Sequence, residues 1–207
     1  ITVGAGSLFG LSGVLTQTGG NINLQGGALG NQQPPPGSVL AFDGVNDYVE
    51  MADSPSLHSA GELTVSGWFK ADGFPREWQN IFFKGNIPDD GRGNFSGREV
   101  GLWVNSSGYL FLDSTPVSLI GAGQLSISTP NGSIQAGKWY HFATVISTAG
   151  NTMRIYVNGQ LLAERTYDAS GIRDTNGPFR LEPAGKHRGR PRARRPGRNG
   201  SPADLLL

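Results

Sequence analysis

The sequence predicts an all-β fold, an antiparallel sandwich or barrel over residues 38–181. Three observations predict it. Short apolar runs with period-two alternation recur along this stretch, with no helix of useful length between them. Glycine (32 residues) and proline (13) are abundant in the 207-residue chain and charged residues make up only 16%, which suits many strands joined by turns. "MRIYVNGQLLAER" sets two alternating runs around Asn158-Gly159, a dipeptide that accommodates the positive φ angles of a type I′ hairpin turn.

The elements follow in order. "SVLAFDG" alternates Val39 and Ala41 against Leu40 and Phe42, and "DYVEM" follows a Gly-Val-Asn turn. "ELTVSGWFKA" sets Leu63, Val65, Gly67 and Phe69 on one face and Thr64, Ser66, Trp68 and Lys70 on the other. "NIFFKG" is a short apolar strand. "REVGLWVN" and "GYLFLDS" read as a hairpin through Asn-Ser-Ser-Gly, and "KWYHFATVIS" is a longer strand. One apolar face per strand lets two sheets bury a shared core.

The flanks differ from this body. Residues 1–37 are Gly-rich and almost uncharged; the Gly-Gly pairs around Ile22 and Leu24 suit either a rung of a β-solenoid or a flexible linker. "NQQPPPG" favours an extended spacer and places a domain boundary near Pro36. Residues 182–207 are Arg/Pro/Gly/Ala-rich without periodicity and read as a basic, disordered tail.

Charge divides along the same line. The net charge of +1 combines a balance of +6 over residues 186–207 with −5 over the rest, so the body is mildly acidic and the tail basic. The tail has no interleaved aromatics and no helical period, which argues against nucleic acid as a partner. There is no cysteine, which excludes disulfides, thiol nucleophiles and thiolate metal sites. No run of 18 or more apolar residues exists, so no membrane insertion is expected. The chain opens Ile-Thr-Val and reads as an internal piece of a longer protein, any export signal lying upstream.

"LAFDGVNDYVEMADSPSLH", "LTVSGWFKADG", "NIFFKGN", "GKWYHFATV" and "MRIYVNGQLLAE" occur in this order and spacing. Together they resemble the bacterial laminin-G-like, or concanavalin A-like lectin/glucanase, jelly-roll family. The resemblance covers residues 38–181 and implies an antiparallel jelly-roll β-sandwich of two sheets. It implies glycan or protein binding at the exterior of a bacterial cell, and a calcium ion at the sandwich rim. One departure stands out. The family continues past "GPFRLEPAG" with an Asp-Val-Arg-Ile-Tyr-like strand that pairs with the first strands; here the Arg/Pro tail stands instead. The closing strand is therefore expected to be missing, as after a frameshift near Leu181, and the sandwich to be poorly stable unless residues 1–30 fill the gap.

Candidate site residues fall in loops. Asp43, Asn46 and Asp47 place two carboxylates and an amide around a glycine turn, a start on the six to eight oxygens calcium takes, though the spacing is not that of an EF-hand. The same residues suit an Asx-type turn that caps backbone N–H groups. "NIPDDGRGN", with Asp89, Asp90 and Asn94, is a second oxygen-rich loop, and Asp168, Asp174 and Asn176 form a third. Trp78 in "FPREWQN" is the best ring for stacking on a sugar face, with a partly buried loop anchor as the other reading. Trp68, Trp103 and Trp139 lie inside strands and are expected in the core, with His141 structural.

Catalysis has little support. No Gly-x-Ser-x-Gly elbow, HExxH or P-loop occurs, and the Glu-x-Asp-x-Glu-type strand of related glucanases is absent. The sequence therefore predicts a noncatalytic recognition module of an extracellular or cell-surface bacterial protein. Its partners are glycans or extracellular proteins. A structural spacer in an adhesin-like array is the alternative, ahead of a glycoside-active enzyme.

Overall fold

A computed structural model of the chain describes residues 2–3, 23–24, 39–42, 47–58, 61–86, 98–115, 125–167, 171–181 and 205–206. Strands β1 (Thr2–Val3) and β2 (Asn23–Leu24) pair in parallel. The rest of the Gly-rich segment, read above as a solenoid piece or a linker, lies outside the described residues.

The body is two six-stranded sheets. β3 (Ala41–Phe42), β5 (Glu62–Ala71), β10 (Trp139–Ser147), β11 (Thr152–Val157), β12 (Gln160–Thr166) and β14 (Leu205–Leu206) form the first, in the order β12-β11-β10-β5-β14-β3. β4 (Val49–Met51), β6 (Trp78–Gly85), β7 (Arg98–Asn105), β8 (Tyr109–Ser114), β9 (Leu125–Ser128) and β13 (Phe179–Leu181) form the second, in the order β4-β13-β6-β7-β8-β9. All pairings within the two sheets are antiparallel. The chain is therefore the β-sandwich its alternation predicts.

Period two decides what each strand buries. On β10, Tyr140, Phe142, Thr144 and Ile146 are buried while the residues between them are part-exposed. Phe69 of β5, Phe142 of β10 and Phe82 of β6 bridge the sheets, with ring centroids 6.0 Å apart for Phe69–Phe142 and for Phe82–Phe142. Leu102, Val104, Leu110 and Leu112 supply the same core from β7 and β8. The β11–β12 turn has φ of 50° at Asn158 and 79° at Gly159, the positive values the Asn-Gly pair is chosen for. Asn158 also ties the turn to β10: its N–H donates to the His141 carbonyl, and its Oδ1 accepts from the His141 N–H.

The core corrects one expectation. None of Trp68, Trp103 and Trp139 belongs to it; all three are only part-buried. Trp68 shares the outward face of β5 with Thr64 and Ser66, and Trp139 that of β10 with His141 and Ala143. An indole is large and apolar, but strand parity places these three on the outside.

Among the described residues, the two of β14 stand between β5 and β3. Leu205 and Leu206 pair with Ala71 and Lys70 on one side and with Phe42 and Ala41 on the other. Two residues of the tail thus belong to the sheet; residues 182–204 lie outside the described set. Among the described residues, Glu62–Phe69 pairs with β10 alone. Burial follows this pairing. On the inward face of β5, Phe69 and Ala71 are 0% and 1% exposed, while Leu63 and Val65 are only part-buried.

Candidate functional site

The outward face of the second sheet carries a row of rings. β6, β7 and β8 are in register so that Trp78 lies opposite Asn105 and Asn105 opposite Tyr109. The next rank sets Asn80, Trp103 and Phe111 side by side, and the next Phe83, Gly101 and Asp113. A bulge between Asn80 and Phe82 shifts the parity of β6, which turns Phe83 outward while Phe82 enters the core.

The rings form a continuous line. Trp78 lies 5.2 Å from Phe111 and 6.0 Å from Tyr109, Phe111 lies 6.2 Å from Trp103, and Trp103 lies 6.3 Å from Phe83, all between centroids. All four pairs are edge-on or tilted, the arrangement the ring quadrupole favours. Trp78 is 38% exposed and is the most open of the five. It is the first residue of β6 rather than a residue of the preceding loop.

Polar groups border the row. The Arg98 guanidinium sits 4.9 Å from the Trp103 ring centroid, a cation–π contact. It also pairs through Nη1 with Oδ2 of Asp113, which is fully buried. Burial pushes the Asp113 carboxyl up to about 6, against the pull of Arg98. Gly101 makes this packing possible, since a Cβ there would lie 2.2 Å from the Trp103 ring.

A second polar cluster closes the far end of β6. Lys84 donates to Oε2 of Glu99 at 2.7 Å, to Oδ1 of Asp53 at 3.2 Å and to the Thr175 carbonyl at 3.2 Å. Glu99 Oε2 also accepts from the Thr175 N–H and hydroxyl. His58 stands between two carboxylates, with Nε2 3.0 Å from Asp53 and Nδ1 3.1 Å from Asp174. This cluster ties the turn after β4 to the loop before β13. Burial works to lower the Lys84 pKa, but Glu99 and Asp53 raise it above the usual lysine value. Burial also raises the Glu99 carboxyl, with Lys84 and Thr175 opposing.

The residues singled out in the sequence separate accordingly. Trp78 stands at the head of the aromatic row. Asp174 is the partner of His58. Asp47 is exposed, two residues before β4, while Asp43, Asn46, Asp89, Asp90, Asn94 and Asp168 lie outside the described residues. Among the described residues, no group of three or more His, Cys, Asp or Glu side chains is placed to hold a metal. Nor is any helix among them long and apolar enough to cross a membrane. Tyr109, Phe111, Arg98 and Asp113 were not singled out by sequence reasoning. The signal available for them was the alternation of rings in "LWVNSSGYLFLD".

Known proteins place this architecture. The binding domain of Paraclostridial Mosquitocidal Protein 1 superposes with a TM-score of 0.58 at 12% identity, over 81% of this chain and 38% of that one. The receptor binding domain of botulinum neurotoxin D gives 0.54 at 13% identity, over 80% of this chain and 37% of that one. The CBM40 of the Ruminococcus gnavus IT-sialidase, solved with α2,3-sialyllactose bound, gives 0.51 at 16% identity, over 82% of this chain and 91% of that one. The chain thus spans less than two fifths of the two toxin chains. At these identities the likeness is one of fold. No curated protein sequence matches the chain. A family model described as the concanavalin A-like lectin/glucanases superfamily matches residues 43–192, most of the sequence, and the chain belongs to that family.

Proposed function

We propose that the sandwich is a noncatalytic glycan-recognition module of a larger extracellular bacterial protein. Sugar binds on the aromatic row of β6, β7 and β8. The observation that carries this reading is the exposed Trp78, set 5.2 Å from Phe111 and 6.0 Å from Tyr109 at the open end of that row. Sugar rings stack their C–H faces on such surfaces and take hydrogen bonds from polar groups at the border. The α2,3-sialyllactose on the CBM40 sandwich is a precedent for a glycan on this fold.

The carboxylates near the row support a noncatalytic role. Glu99 and Asp113 are both buried and each is engaged by a cation, Lys84 and Arg98. A glycosidase needs two carboxyl groups open to the scissile bond. Calcium at Asp43, Asn46 and Asp47 belongs to the same proposal and is tested separately. Added calcium raises the melting temperature, and Asp43→Ala abolishes the rise. Binding of the 207-residue chain to a glycan array, with and without calcium, tests the main reading. An array that stays blank under both conditions refutes it.

A further inference from the structure

Asn80 and Asp113 lie on the aromatic face and are 7% and 0% exposed, yet Oδ1 of each has no hydrogen-bond partner among the described residues. The Asn80 amide donates through Nδ2 to the Phe82 carbonyl at 3.2 Å, which fixes its other end as the oxygen. Asp113 commits its other oxygen, Oδ2, to Arg98. The two residues bracket Trp103. Asn80 lies directly opposite it on β6, and Asp113 lies on β8 opposite Gly101, over which the indole packs. A buried acceptor without a donor is costly, and folded chains keep few of them. Two on one face, in adjacent ranks, point to a donor that arrives from outside the chain.

We infer that Asn80 Oδ1 and Asp113 Oδ1 receive hydroxyls of the bound glycan, and that the ligand of the row is an uncharged sugar. This rests on the reading of the row as a glycan site and narrows it. An amide oxygen accepts, and both oxygens of a carboxylate paired to a guanidinium accept. Their complement is a donor, and sugars carry donors as hydroxyls. An acidic sugar instead brings a carboxylate, which is acceptor-only, and sets it against Asn80 Oδ1 and the Asp113 charge. The neighbouring cation gives no relief, since Arg98 is already held by Asp113 and stacked on Trp103. The placement suits stacking. Asn80 is two residues along β6 from the exposed Trp78, and Asp113 two residues along β8 from Phe111, so each acceptor shares an outward face with a ring. Trp103, Phe111 and Arg98 are part-exposed, and the hydroxyls enter between them.

The test uses the unmodified 207-residue chain on a glycan array at pH 8, above the value of about 6 to which burial raises the Asp113 carboxyl. The array carries neutral oligosaccharides, each beside a counterpart bearing a sialic or uronic acid, such as lactose beside α2,3-sialyllactose. Neutral members are expected to bind, and their acidic counterparts at least tenfold more weakly. Binding confined to acidic glycans, or equal for the two sets, overturns the inference and leaves the row as a glycan site. A blank array overturns the row itself, and the inference with it. Monodeoxy analogues of the best neutral ligand then locate the hydroxyls without altering the protein. At least one analogue loses about tenfold against the native chain, and the inference is overturned if none does. In Asn80→Leu, checked for an intact melt, the loss for one such position disappears; the same losses in both proteins overturn the role of Asn80. Asp113→Asn removes the charge and narrows the gap between neutral and acidic glycans, and an unchanged gap overturns the role of Asp113.

Discussion

The ammonium of Lys84 lies 2.7 Å from Oε2 of Glu99, and the two side chains are 3% and 1% exposed. A pair so deeply buried carries a large desolvation cost that its mutual attraction only roughly offsets. Breaking it from one side is far worse than replacing both partners, because a lone buried charge remains. Glu99 Oε1 is buried and has no hydrogen-bond partner among the described residues, so the carboxylate depends on what Oε2 receives. Lys84→Met is expected to cost about 3–5 kcal/mol in chemical denaturation, and Lys84→Met with Glu99→Leu to recover most of that. If the double variant is as unstable as the single, the pair is not the origin of the loss.

His58 makes stability depend on pH in a definite direction. Both ring nitrogens face carboxylates, so only the imidazolium can donate to both. The hydrogen bond to Asp53 raises its pKa above the usual histidine value of 6.5, with Asp174 adding to it and burial and Lys84 opposing. A raised folded-state pKa means the contribution is fully present below 6.5 and is lost as pH rises through the folded value. Asp53 works the other way. Its pKa is lowered from 3.8, chiefly by His58, so its contribution is lost as pH falls through that lowered value. The melting temperature of the native chain should therefore fall between pH 6 and pH 9 more than that of His58→Gln. Parallel curves for the two proteins would count against this role of His58.

Asp113 has its own window. Its carboxyl is raised from 3.8 to about 6 by burial, against the pull of Arg98. Ionising it in the folded state is therefore harder than in the unfolded chain. Stability is lost from this group as pH rises from about 4 to about 6, by an amount on the order of 3 kcal/mol. Asp113→Asn removes that titration. The variant's denaturation free energy should change less over this interval than the native chain's, and an unchanged slope would reject the assignment.

Trp78 separates binding from folding. It is the most exposed of the five rings and lies outside the core cluster, packed only against Phe111 and Tyr109 within the row. Trp78→Ala gives up two ring contacts worth about 0.5–1.5 kcal/mol each, so the melting temperature should fall by several degrees while the chain still folds cooperatively. Affinity for any glycan found on the array should fall about five- to thirtyfold, the loss of one stacked ring being worth about 1–2 kcal/mol. A variant that binds as well as the native chain would move the site off this row.

Alternation located the strands because period two is a local property: Leu63, Val65, Gly67 and Phe69 do face inward together. The same parity was the better guide to Trp68, Trp103 and Trp139, where hydropathy suggested core. Long-range partners were not legible in this way. Lys84 in "NIFFKG" and Glu99 in "REVGLW" are each a charge inside an apolar strand, but nothing local says that β6 and β7 are neighbours in this register, or that Thr175 closes the cluster. The aromatic row has the same origin. Trp78, Phe111 and Trp103 come from three strands, and the β6 bulge that turns Phe83 outward has no signature in its residues.

Gly101 and Trp103 give the sharpest test of that row. The indole lies over the glycine so closely that a Cβ would stand 2.2 Å from Cη2 and 2.7 Å from Cζ3. Real contacts do not come this near, so in Gly101→Ala the ring must leave its place. Overpacking of this kind costs about 1–3 kcal/mol. The displaced indole also gives up the stack under Arg98, leaving the buried Asp113 with a less firmly held counter-charge. Glycan binding along the row should weaken together with stability. The control is the same substitution without the ring. In a Trp103→Ala background the three atoms nearest that Cβ are gone, and alanine restricts the unfolded chain more than glycine does. There Gly101→Ala should be neutral or slightly stabilising. The cycle formed by the four proteins should thus show a coupling of about 1–3 kcal/mol. A coupling near zero would mean that residue 101 is glycine for a backbone reason and that the indole is held by other contacts.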